Sequence, residues 1–456
     1  MRVRRNEFDA RSDQRAGGLA QVDRWASLCP VLPPCGSSHA RILCLKTALN
    51  NNDNLLFSNI RLKLRQILRP ACAGLLWVVL SVSAAPYVPV SDAQVLERLP
   101  FRPGEPVARE LRGLHAALAE RPGDPTRAEA LARRYFDLAM SEGDPRYIGY
   151  AEAALRPWSK GETTLPELRV TRALLRQYRH DFAGALKDLS AALESNPANT
   201  EARAWRAAIF MVQARYADAR GECEALASHA SELFATGCTA YVDATTGKTS
   251  LAHGRLAAAL RRTPDASVES RLWNLTRLAE MAQRLGDPKA AEKHFRDALA
   301  LGVTDNFLLA AYADFLLDAN RPREVVLLLR DWARSDTLLL RLALAEKALG
   351  LATAGRNIQT LDARFAEAGL RGEQLHLQEE ARYRLYLKGD ARAAVRLATE
   401  NWKSQREPRD AAILLEAARA ARDPAAAQPA LAWLEQSGFD GAALRGLARE
   451  LNAMQR

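Results

Sequence analysis

The sequence predicts an all-α protein, a right-handed α-solenoid of about eight helix hairpins. Three observations point there. First, the chain repeats itself at a fixed interval. Arg172-Ala173, Phe182 and Ala185 return one interval on as Arg206-Ala207, Tyr216 and Ala219, and Ala279, Pro288 and Ala291 return at the same spacing as Ala313, Pro322 and Val325. The interval is about 34 residues, a length that two antiparallel helices and their turns fill, so the period is that of a hairpin array. Second, Gly-Asp-Pro occurs at Gly123–Pro125, Gly143–Pro145 and Gly286–Pro288, with Arg-Asp-Pro at Arg422–Pro424. Glycine ends a helix in the left-handed conformation, Asp caps the next one, and Pro fits the first helical position. Third, aromatics are only 7% of the chain, while Ala, Leu, Arg and Glu dominate, which favours helix. No region alternates apolar and polar residues between turn signals as a strand would.

The 456 residues divide by composition. With 48% apolar and 26% charged residues, the chain as a whole reads as folded rather than disordered. The net charge of +10 at first suggests a nucleic-acid partner, but its location argues otherwise. Residues 1–58 carry eight basic and five acidic residues. Four more bases (Arg61, Lys63, Arg65, Arg69) fall in 59–70, and 71–85 hold no charge. Of the 64 basic and 54 acidic residues in all, 52 basic and 49 acidic ones are therefore left for the rest of the chain. That balance is unsuited to a phosphate-binding surface, so no nucleic acid is expected.

Residues 59–85 have the order of a secretory signal peptide: the basic stretch, the apolar run Ala71–Val82, then Ser83, Ala84 and Ala85, with cleavage after Ala84 or Ala85. The apolar run is shorter than the roughly 20 residues a spanning helix needs. An uncleaved N-terminal anchor is the other reading, and stable membrane insertion of the mature chain is not expected. Residues 1–58, with Asn50–Asn54 and the Pro-rich Cys29–Cys35, show no sustained period. They read as a disordered or mis-called upstream extension. Residues 86–124 read as a linker and capping helix, and 125–456 as the solenoid. A periplasmic or secreted location follows as an expectation.

The hairpin period resembles that of the tetratricopeptide repeat (TPR). In the window Leu278–Leu299, Leu278-Ala279 stands late in a first helix and Gly286-Asp287 at a turn. Ala291 then comes early in a second helix, before Phe295 and Ala298-Leu299. The resemblance covers roughly 125–440 and is strongest over 166–199, 200–232 and 272–305. Pro288 and Pro322 stand where the family usually has an aromatic, and 351–376 fall out of register. The resemblance implies that the first helix of each pair lines a concave side. Tyr178, Trp205, Met211, Phe234, Tyr241, Trp273 and Phe307 fall there, with Arg277 and Arg284 further along the helix of Trp273 to meet a carboxylate. Exposed large apolar residues in a groove mark a binding surface; seam packing between helices is the competing reading. Trp332, Trp402 and Trp433 read as core.

Chemistry is sparse. None of the seven histidines forms a His-x-x-x-His or Glu-x-x-His pair on a helix face, and no Cys-x-x-Cys exists, so no metal site is expected. His180 and His294 read as surface or turn residues. Gly247-Lys248-Thr249 lacks the first glycine of a phosphate loop and reads as a turn. Glu379-Glu380 reads as a solvated helix face. No nucleophile elbow occurs, and neither an enzyme nor a cofactor is expected. The mature chain keeps Cys223 and Cys238, late in one repeat and in the first helix of the next. A disulfide is expected in an oxidising compartment, against two buried thiols. The expectation for function is an exported scaffold that binds a protein or peptide on its concave face. Alternatives are a small-molecule or polysaccharide-binding solenoid, a structural part of an envelope or secretion assembly, and an enzyme whose site forms only in three dimensions.

Overall fold

Helix starts and stops are written into the chain at most boundaries. Pro106, Pro125, Pro166, Pro288, Pro322 and Pro408 each open a helix, where the missing N–H costs nothing. Side chains of Asp124, Asp181, Asn199, Ser231, Ser267, Asp287, Asp305, Ser335 and Asp390 cap first turns. A computed structural model describes residues 104–159, 165–372 and 376–454, all within one compact unit, Leu99–Arg456. The upstream extension, the leader and residues 86–103 lie outside the described residues.

Among the described residues there are twenty α-helices and no strand. They are α1 (Pro106–Glu120), α2 (Pro125–Glu142), α3 (Arg146–Ala154), α4 (Pro166–Tyr178), α5 (Phe182–Ser195), α6 (Thr200–Val212), α7 (Tyr216–Leu226), α8 (Glu232–Thr245), α9 (Thr249–Arg262), α10 (Val268–Arg284) and α11 (Pro288–Leu299). There follow α12 (Asn306–Asp318), α13 (Pro322–Leu329), α14 (Asp336–Ala348), α15 (Thr353–Leu370), α16 (Leu377–Arg382), α17 (Ala391–Ser404), α18 (Pro408–Ala421), α19 (Gln428–Ser437) and α20 (Ala442–Met454). From α2 onward consecutive helices pair into stacked hairpins. The stretch at 351–376 leaves the register because α15 runs 18 residues. A π turn, Tyr383–Lys388, then extends α16.

The hairpin turns share one device. A residue with positive φ follows the first helix, and the next N–H reaches back to the carbonyl five positions earlier. Asp287 N to Ala282 O (3.0 Å), Arg321 N to Leu316 O (2.8 Å) and Asp423 N to Ala418 O (2.9 Å) are examples. Gly286 and Gly350 suit this position, but His180, Ala214, Asn320 and Arg422 also hold it, with φ between 53° and 60°. The Gly-Asp-Pro reading is thus right for Gly143 and Gly286. It fails at Gly123, which has no positive φ, because Arg121 closes α1 in another conformation. Arg422 is exposed and carries the left-handed strain with no glycine relief. Arg422→Gly is expected to stabilise by about 0.5–1 kcal/mol, and Gly286→Ala, which has open space around it, to destabilise by a similar amount. Urea midpoints of the two variants check both signs.

The core is a run of clusters along the stack. In the largest, Phe295, Tyr312 and Phe315 stack with centroids 5.2–6.1 Å apart. Trp402 and Trp433 are buried edge-to-face at 6.0 Å, and Trp332 packs partly buried on the central cluster, all as core residues. Cys223 and Cys238 are bridged, with Cα atoms 5.3 Å apart, joining α7 to α8.

The late hairpins come back to the early ones. Trp433 Nε1 donates to Tyr216 Oη at 2.7 Å, and Arg406 N to the Val212 carbonyl at 2.7 Å. Thr249 Oγ1 donates to Asp440 Oδ1 at 2.6 Å. Gly247, at φ +80°, lies so close to Gly438 that a Cβ would collide with the Gly438 carbonyl oxygen. The turn at 247–249 is therefore the landing place of the C-terminal helices.

Candidate binding cavity

On α10 the spacing of Trp273, Arg277, Glu280 and Arg284 places all four along one side of the helix. Arg277 is the centre of the arrangement. Its guanidinium stands over the rings of Tyr241 (4.1 Å), Phe307 (4.7 Å) and Trp273 (5.5 Å). Its Nη1 donates to Glu280 Oε2 at 2.8 Å, and its Nε is buried without a hydrogen-bond partner. Burial pulls the Arg277 pKa down, but Glu280, Tyr241 and Glu407 outweigh it and leave it raised.

The opposite wall is the C-terminal chain itself: Glu407, Pro408, Arg409, Phe439 and the first turn of α20. Between the walls lies a cavity of about 520 Å³. Tyr241 Oη donates to Glu407 Oε1 at 3.0 Å, across 166 residues of sequence. Burial pushes the Tyr241 hydroxyl above its usual range, with the Glu407 charge adding to it. Burial would raise the Glu407 carboxyl, but Arg409, bonded at 2.6 Å, holds it below the usual range. Arg284 also reaches this space. Its Nη1 donates to the Ala244 carbonyl at 3.0 Å, and its guanidinium stands 5.1 Å from the Phe439 ring centre.

Arg409 also borders a second cavity of about 230 Å³, lined by Tyr178, His180, His376, Glu379 and Asp410 among others. Burial pulls the His180 imidazole down to about 4. Burial and then the neighbouring Glu407 push Asp410 up to about 7. Asp410 accepts from Asn401 Nδ2 and from the Glu407 N–H, both at 2.9 Å, which makes it part of the capping box that opens α18.

The predicted groove residues therefore divide. Tyr241, Arg277, Arg284 and Phe307 line the larger cavity, and Tyr178 the smaller. Trp273 supports Arg277 from behind, edge-on to Tyr241 at 6.5 Å. Trp205 and Met211 line neither cavity, and the groove assignment is corrected for both. Trp205 wedges edge-on against Phe136 at 6.1 Å between two N-terminal clusters. Met211 is 4% exposed beside Cys223 and Val242. Phe234 is half-buried and lines neither. The reason is packing: Trp205 fills the seam between two N-terminal clusters and Met211 the seam beside the cystine, so neither side chain reaches a cavity.

Three polar readings also change. Glu379 faces the smaller cavity instead of solvent, while Glu380 pairs with Arg384 at 3.0 Å. His180 is in a turn, as expected, but half-buried against that cavity. His294 is half-buried beside His253 at 5.8 Å, its Nδ1 buried and without a partner. Sequence reasoning missed Glu407, Arg409, Phe439 and the start of α20. Glu407–Asp410 is legible as a capping box, but nothing local says what it faces.

No family model matches the chain, and no curated protein matches it. Among solved structures it is similar to a human IFIT1 dimer with PPP-AAAA (14% identity, 72% of this chain and 77% of that one, TM-score 0.40). It is also similar to a Rap protein complexed with competence and sporulation factor (13%, 76% and 93%, TM-score 0.39) and to yeast Tom70 (13%, 77% and 93%, TM-score 0.28). By its own helix pairing and turn geometry, the described chain has the fold of a TPR-like α-solenoid, its last hairpins turned in against its early ones.

Proposed function

We propose that this chain is a non-catalytic binding protein that takes a short segment of a protein or peptide partner into the cavity between its inner helices and its own C-terminal hairpins. The observation that carries this reading is the aromatic and arginine wall formed by Tyr241, Arg277, Phe307 and Phe439 around a space of about 520 Å³, a size suited to a short ligand. Cavities that bind are mostly apolar, with few polar groups at fixed places. The ionisable groups here are largely held by one another, Glu407 by Arg409 and Tyr241, and Arg277 by Glu280, which suits recognition better than proton transfer.

A second reading, a small-molecule ligand, is favoured by the inward fold of the C-terminal hairpins, which leaves a bounded cavity where an open groove would suit a long peptide. We place the protein in an exported compartment. The order of charge, apolar run and small residues over 59–85 supports this, as does a cystine at Cys223–Cys238.

Affinity capture with the tagged mature chain from a cross-linked envelope extract tests the proposal. A stoichiometric partner is expected, at least tenfold depleted by Phe307→Ala with helical circular dichroism intact, and unaffected by Leu370→Ala at a side chain 89% exposed on α15. Equal capture by the Phe307 variant would remove the cavity from the function.

A further inference from the structure

The cavity wall carries Arg277, Arg284 and Arg409 against Glu280 and Glu407. Arg277 is paired to Glu280 and Arg409 to Glu407. Arg284 is the surplus cation: it has no carboxylate partner within ion-pair distance among the described residues. It is half-buried at the cavity wall, and this burial pulls its pKa down more than the more distant charges of Glu280 and Asp440 raise it.

A second feature converges on the same place. Gly441, Ala442, Ala443 and Leu444 line this cavity, and they form the entry and first turn of α20, a helix of 13 residues. The first hydrogen bond of that turn is Arg445 N to the Gly441 carbonyl at 3.2 Å, so the N–H groups ahead of it have no helical acceptor. Gly441 has no side chain with which to cap them. The nearest acid in sequence, Asp440, is engaged with Thr249 through both carboxylate oxygens, at 2.6 and 3.2 Å. Open N–H groups at a helix start, beside a guanidinium, favour negatively charged oxygen.

We infer that the Arg284 end of the cavity is an oxyanion subsite, formed by the Arg284 guanidinium and the uncapped first turn of α20, and that it takes a carboxylate or phosphoryl group carried on an apolar body. Phe307, Phe439 and Leu444 supply the apolar walls for that body, and Arg277, with its unpartnered Nε, stands beside it. The inference rests on the cavity being a binding site but not on the partner being a protein. It assigns the C-terminal helix a direct part in binding.

Calorimetric titration of the intact mature chain with benzoate, phenyl phosphate, inorganic phosphate and benzyl alcohol tests it. The two aromatic anions are expected to bind, inorganic phosphate more weakly, and the neutral alcohol at least tenfold more weakly than benzoate. The ranking of benzoate against phenyl phosphate tells carboxylate from phosphoryl preference. Arg284→Gln is expected to weaken the anions at least tenfold and leave the alcohol unchanged. Glu280→Gln, which frees Arg277 from its carboxylate, is expected to tighten them. Ala442→Pro removes one first-turn N–H at a position that tolerates proline, and is expected to weaken them severalfold. Equal binding of anion and alcohol, or anion binding unchanged in a folded Arg284→Gln, would overturn the subsite. Anion binding without partner capture would leave the subsite standing and defeat the protein-partner reading alone.

Discussion

Asp188→Ala is expected to destabilise the protein by about 3–5 kcal/mol, the largest single effect we anticipate outside the aromatic core. Asp188 is 4% exposed on α5. It accepts a two-pronged bond from Arg172, Nε to Oδ2 at 2.8 Å and Nη2 to Oδ1 at 2.6 Å, and a third from Arg176 Nη1 at 2.6 Å. Arg172 is itself 8% exposed and also donates to the Trp158 carbonyl at 2.7 Å. Truncating Asp188 takes the carboxylate away from a buried guanidinium, which costs more than the net worth of the pair. Replacing both partners, with Arg172→Met and Asp188→Leu, is expected to recover most of the loss. Urea unfolding of the single and double variants separates the two contributions. A single variant within about 1 kcal/mol of the parent would show that the site admits water.

Opening the Cys223–Cys238 bridge is expected to cost about 3 kcal/mol, the chain-entropy value for a loop of about 15 residues. The two cysteines are 15 positions apart, and Cys223 is 1% exposed beneath Phe210, Met211 and Val242. Cys238→Ala and Cys223→Ala should lower the urea midpoint alike, and dithiothreitol should shift the parent to meet them while leaving both variants unmoved. A reductant that shifts all three equally would mean that the cystine contributes nothing to stability.

The repeat period carried more of this fold than any single motif. Arg172 and Arg206 lie one period apart, and so do their acidic partners. Asp188 and Glu222 occupy equivalent places on consecutive second helices, and Arg206 Nη2 meets Glu222 Oε1 at 3.0 Å. The ion pair is thus part of the repeat, although only its arginine half stood out in the sequence. The cavity was legible only by half. Tyr241, Arg277, Arg284 and Phe307 follow from hairpin register, because a local helix period decides which side they occupy. Trp205 and Met211 were misplaced because hydrophobicity alone does not separate a groove face from the seam beside it on the same helix. Glu407, Arg409 and Phe439 could not be read at all. Their place depends on the summed rotation of many hairpins, and a small angle per repeat, undetermined by any local pattern, decides whether the far end meets the near one.

The contact between residues 212–249 and 402–440 alters the order in which this molecule is completed. A strict repeat array is finished repeat by repeat as it emerges, since each unit needs only its neighbour. Here Tyr216, Tyr241 and Thr249 wait for Trp433, Glu407 and Asp440, which come 217, 166 and 191 residues later. At roughly 5–20 residues per second, that wait is on the order of 10–40 s of synthesis. Throughout it the interior of the half-made chain is open along one side. A nascent chain stalled before residue 402 therefore presents as an open trough the aromatic wall that the finished protein keeps inside a bounded cavity.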